Sequence, residues 1–157
     1  MSHINIGICF DELKQYEEAV AHLEKSLEFL EKTNNSFLLK ALFILTHVKA
    51  KQHEINSALS FFKKGQNFSR INNDYEYIAK FQILEGLYFS NGEYHLIKDA
   101  LAYLESRRMF ADVENYAIDV GDFFHERGKL LLSNEYYRMS IEARRKIKKG
   151  EIKHENL

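Results

Sequence analysis

Apolar residues recur along this 157-residue chain at spacings of three and four, the period that lines up one face of a helix. The first such stretch is NIGICFDELKQYEEAVAHLEKSL, residues 5–27. It opens with Ile6 and Gly7, places Phe10 three residues on, carries a polar turn at Lys14-Gln15, and continues with Tyr16, Ala19, Leu23 and Ser26. The second set returns as Ile55-Ala58-Phe62-Gly65, then Tyr94-Ile97-Leu101-Leu104, then Leu130-Ser133-Tyr137-Ser140, at intervals of 39, 39 and 36 residues. First-helix positions move in step: Ile6 and Phe10, Leu45 and Lys49, Leu84 and Tyr88, Val120 and Phe124. Small residues at Gly7, Thr46 and Gly121 let the helices of a pair approach closely, and Glu85 departs from that pattern.

A helix with one apolar stripe cannot hide it alone, and stacking successive pairs buries a continuous core. The apolar-Gly pair, the following Tyr and the Ala-x3-apolar second helix resemble the tetratricopeptide repeat. The pattern predicts an all-α, right-handed superhelical solenoid of about four helix-turn-helix repeats. Its eight helices fall at roughly 2–13, 15–32, 36–51, 53–69, 74–90, 93–107, 110–127 and 129–148. The repeats divide as 1–34, 35–72, 73–108 and 109–149, and the polar segment GEIKHENL, 150–157, is predicted to fray. Ser36 and Asp74 are the expected N-caps. Asn91-Gly92 and Gly128-Lys129 are the expected turns within the third and fourth repeats.

Composition sharpens this picture at a few points. There is no proline, where ordinary usage would place about eight, and proline breaks helix interiors. A net charge of -1 supplies no field for nucleic acid or membrane surfaces. The single cysteine, Cys9, excludes an internal disulfide and a multi-cysteine metal site, and reads as a small core filler. No apolar run approaches the ~20 residues that span a bilayer, and no signal peptide opens the chain, so a cytoplasmic location is expected.

Seven histidines lack metal-ligand spacing such as HExxH, and there is no glycine-rich phosphate loop or nucleophile elbow. His125-Glu126 is the one conceivable acid/base pair, but adjacent helical residues point in different directions. The expectation is therefore no enzyme, no cofactor and no metal.

The repeat architecture implies that first helices line a concave groove. Its slots carry over to Ile4, Ile8 and Asp11 in the first repeat. In the others they fall on Phe43, His47, Gln82, Gly86, Phe89, Asn115, Ile118, Asp122 and His125. Eight of these, Phe43, His47, Gln82, Phe89, Asn115, Ile118, Asp122 and His125, form the candidate peptide-binding face. Apolar walls beside amide and acidic groups suit an extended peptide. Tetratricopeptide domains that clamp a chaperone's terminal carboxylate place Lys and Asn where this chain has Ile4 and Ile8, which argues against that subclass.

Repeats near 39 residues exceed the usual ~34. The segment NIGICFDELKQYEEAVAHLEKSLEF and the closing NEYYRMSIEARRKIKKGE are similar to the Gram-positive peptide-pheromone sensors, the Rap phosphatases and the NprR and PlcR regulators. That resemblance implies the ligand-sensing, C-terminal part of a quorum-sensing or transcription regulator, whose groove takes a short peptide and whose effector lies elsewhere. The apolar opening at Ile4, Ile6, Ile8 and Phe10 has no polar cap, so an array cut from a longer chain, or one covered by another subunit, is expected.

Two rivals remain. A plain scaffold would oligomerise through the uncapped first repeat or the last helix. A nucleic-acid contact would use Arg144, Arg145, Lys146, Lys148, Lys149 and Lys153, although basic residues at a helix C-terminus already complement its dipole.

Overall fold

The computed structural model describes residues 10–33, 37–90 and 93–155, and among these every regular element is helical. In chain order they are α1 (Phe10–Thr33), α2 (Phe37–Lys51), α3 (Ile55–Ile71), α4 (Tyr75–Leu84), a π-helical turn (Glu85–Phe89), α5 (Tyr94–Ser106), α6 (Phe110–Glu126) and α7 (Leu130–Glu155). The helices pack as the hairpins α2–α3, α4–α5 and α6–α7, the arrangement of a tetratricopeptide solenoid. No described helix is long and apolar enough to cross a membrane.

The hairpins stack through two linked apolar clusters. Val20, Leu27, Leu38, Leu42, Leu45, Val48 and Phe62 meet Phe81 and Leu84 on one side of α4. Ala79, Ile83 and Leu87 lie in the second cluster, with Ile97, Leu101, Val113, Val120, Phe124 and Tyr136. α4 is thus a wall shared by both clusters. Each fully buried leucine or phenylalanine contributes about 1.5–3 kcal/mol.

Turns between helices reuse one device. His53, Asn73, Arg108 and Gly128 all take positive φ, between 52° and 72°. At each, a reverse hydrogen-bond pair closes the preceding helix, as in Asn73 N to Arg70 O (3.2 Å) and Asp74 N to Ser69 O (2.9 Å). Gly128 takes the left-handed position its residue type suggested. Asp74 caps α4 by accepting from Tyr77 N at 3.2 Å. Ser36 and the Asn91-Gly92 turn lie outside the described residues, as do Ile4, Ile6, Gly7, Ile8 and Cys9.

Three expectations change. The turn at Lys14-Gln15 is absent, because α1 runs unbroken from Phe10 to Thr33. Lysine and glutamine are good helix formers, and no glycine or proline stands there to interrupt them. At the other end α7 continues to Glu155, through most of the segment expected to fray. Gly150, with nothing packed within reach of a Cβ, does not stop it.

The third change is the π-helical turn. It widens α4 by one residue, and Gly86 rather than Glu85 becomes the small residue facing α5: a Cβ on Gly86 would stand 2.5 Å from Ile97 Cγ1. The sequence irregularity at Glu85 is that inserted residue.

Candidate functional site

The first helices of the three hairpins, α2, α4 and α6, present one face built from aromatic rings and charges. Phe43 on α2 makes edge contacts with Tyr77 and Phe81 of α4, at centroid distances of 6.4 and 5.7 Å. It also meets Tyr116 of α6, at 5.8 Å and 73°. His47, one turn beyond Phe43, lies 6.0 Å from the ring of Tyr88 and 6.1 Å from that of Phe43. Such edge-to-face pairs add about 0.5–1.5 kcal/mol beyond the area they bury.

Charges are threaded through this wall. Lys80 is the one buried charged residue among those described, and its ammonium bonds Glu76 at 2.7 Å and approaches Asp112 at 3.8 Å. The same ammonium lies 4.8 Å from the centre of the Tyr77 ring, a cation–π contact. Lys51, at the end of α2, reaches Asp119 of α6 at 3.9 Å, with both side chains mostly shielded.

Burial and the surrounding carboxylates disfavour phenolate here. Burial, then Glu76, Asp74 and Asp112, push the Tyr77 hydroxyl up to about 12. Tyr116 is raised further still, by burial first and then by Asp112, Tyr77, Asp119 and Glu76. Both phenols therefore stay neutral, and can offer O–H donors beside acidic acceptors.

The eight residues expected from the sequence are distributed unevenly about this face. Phe43 and His47 lie within it. Asn115 is half-buried on α6, one residue from Tyr116, and Ile118 stands beside Asp119. Asp122 accepts a 2.5 Å hydrogen bond from Tyr137, which ties it to α7. His125 is exposed near the end of α6.

Gln82 points elsewhere. Two residues past Lys80, or about 200° around the helix, its Nε2 donates to Leu96 O of α5 at 2.8 Å. Phe89 packs 4.8 Å from Phe62 of α3, half-buried against the core. The repeat pattern did not single out Lys51, Tyr77, Lys80, Asp112, Tyr116 and Asp119, nor Tyr88 as part of this face. Their signal was present for α6, since Asp112, Tyr116 and Asp119 follow a four-three spacing that flanks the apolar Val113–Val120 stripe.

No protein-family model matches the chain. Individual proteins do. It is 64% identical over 156 residues to response regulator aspartate phosphatase I of Bacillus subtilis, covering 99% of this chain and 40% of that protein. The chain is a close homologue of the Rap response regulator aspartate phosphatases. The regulatory protein RapF of the same organism is 30% identical over 149 residues, covering 94% of this chain and 39% of RapF. The transcriptional activator NprA of Geobacillus stearothermophilus is 25% identical over 152 residues, covering 88% of this chain and 36% of NprA.

Among solved structures, apo RapI superposes with a TM-score of 0.83 at 62% identity, over 94% of this chain and 54% of that one. A Rap protein complexed with competence and sporulation factor has the same fold, with a TM-score of 0.80 at 24% identity over 87% of this chain and 38% of that one. The chain thus spans about two fifths of the length of its curated Rap relatives.

This homology corrects one expectation. The prediction that the chain is not enzymatic is overturned by the name of its 64%-identical relative, an aspartate phosphatase. The repeat pattern carries no metal spacing, phosphate loop or nucleophile elbow, so nothing in it signalled an enzyme.

Proposed function

We propose that this chain is a peptide-sensing repeat region of a cytoplasmic bacterial regulator of the Rap type, and that a short peptide lies along the face of α2, α4 and α6. The observation that carries this reading is the wall itself. Aromatic residues from three successive hairpins converge with lysines and carboxylates, offering pockets for side chains and polar partners for a backbone. Homology to Rap proteins across nearly the whole chain supports it. The 24%-identical Rap protein with this fold was solved complexed with competence and sporulation factor.

Occupancy of the wall is the input, and dephosphorylation of a response regulator, as named for the relative, is the proposed output of the protein that contains these repeats. A ligand moves such a protein only by its differential affinity for two shapes. Thermal unfolding against pools of short unblocked peptides tests the reading. A peptide at about 100 times its dissociation constant adds roughly 2.7 kcal/mol to stability. A saturable rise in Tm from one pool is the expected result, and no rise from any pool removes the peptide-sensing reading.

A scaffold that self-associates through its last helix is the second reading, favoured by Leu130, Leu131 and Ile141, which expose 55, 89 and 51% of their surface on α7. Sedimentation at several concentrations separates the two.

A further inference from the structure

In a solenoid each hairpin touches only its neighbours. Here α2 and α6 belong to hairpins that are not consecutive, yet two side-chain contacts join them. Phe43 meets Tyr116 edge-on at 5.8 Å. Lys51 pairs with Asp119 at 3.9 Å. Each contact spans α4, so each restrains two interhelix angles at once.

We propose that Lys51–Asp119, backed by Phe43–Tyr116, is a clasp that ties α2 to α6 and holds the α2–α4–α6 face in a narrow shape before any ligand arrives. The biological meaning of the clasp rests on the peptide-sensing reading above, although the clasp itself does not.

Exposed ion pairs contribute little, because water screens them and two long side chains must be immobilised. This pair differs, since the side chain of Asp119 keeps only 9% of its exposure and that of Lys51 24%. Screening by solvent and salt is reduced there.

Lysine suits a clasp that must open. Its ammonium is a point charge on a flexible stem, so the pair breaks and reforms without the fixed fork geometry that arginine requires. The neighbouring contact of Lys80 with Asp112, at 3.8 Å, ties α4 to α6 in the same way, while Glu76 holds Lys80 from its own helix. α6 therefore receives a lysine from each of the two preceding first helices. One acts between neighbouring hairpins, and the other acts across them.

The test uses the whole chain without peptide. Spin labels at Lys40→Cys on α2 and Glu126→Cys on α6, both exposed positions, in a Cys9→Ser background, report the α2–α6 distance by pulsed electron resonance. Lys51→Gln and Asp119→Asn should each broaden the distribution and move it to longer distances. The exchange Lys51→Asp with Asp119→Lys should return it toward the wild type. Circular dichroism of each variant identifies any that has lost its helices, and the exchanged protein then decides the matter.

Single variants that keep their helices and the wild-type distribution would overturn the clasp, as would an exchanged protein as broad as the single variants. Because no peptide is present, a protein that binds no peptide still gives either answer.

Discussion

Gly65 shows how little freedom a single position holds in this stack. A Cβ there would run into the ring of Phe81, which also packs against Phe43 and Phe62. Gly65→Ala should cost about 1–3 kcal/mol through overpacking, read as a lower midpoint in urea. Because Phe81 supports Phe43, the cost reaches the aromatic wall as well as the core.

The buried phenols make a second prediction at this scale. Their proton affinity is higher in the folded protein than in the unfolded chain, where tyrosine titrates near 10. The folded state then holds more protons above that pH, so its stability is complete below about pH 10 and falls as pH rises toward 12. Tyr77→Phe should make that alkaline loss shallower than in the wild type. Denaturant midpoints across this range check it, and an unchanged slope would mean that Tyr77 titrates as it does in the unfolded chain.

Single elements explain what could be read in advance and what could not. The bounds of α2, α3, α5 and α6 were legible because their buried stripes break off at short turns. The start of α4 was legible from its cap: Asp74→Ala removes the acceptor for Tyr77 N and should lower stability by about 1 kcal/mol, measured by the same denaturation. The length of α1 was not legible, since a polar pair within a helix resembles a turn in the absence of glycine or proline.

The aromatic wall was only partly legible for a related reason. A 3.6-residue period marks the buried stripe of a helix, but which flank of that stripe meets the neighbouring hairpin depends on how helices cross. Phe43 and His47 lie on the aromatic face. On α4, Gln82 and Phe89 turned out to bond or pack against α5 and α3, while Lys80 and Tyr77 took the wall. On α6 the contacts with the preceding first helices come from Asp112, Tyr116 and Asp119, each within a few residues of Asn115, Ile118 and Asp122. The last of these is held by Tyr137.

At the scale of the whole molecule, the repeats make a continuous apolar core on one side and a charged aromatic wall on the other. The wall is where side chains of three hairpins meet, so a change in their relative angles would alter it. The measurement that tests this most directly is the peptide-induced rise in Tm, compared among the wild type, Phe43→Ala, Tyr116→Ala and Leu131→Ala. Leu131 is 89% exposed on α7 and takes no part in the wall. A stabilising peptide should raise Tm for the wild type and Leu131→Ala, and do so weakly or not at all for the two wall variants. An equal rise in all four proteins, or a loss confined to Leu131→Ala, would place the ligand elsewhere and contradict it.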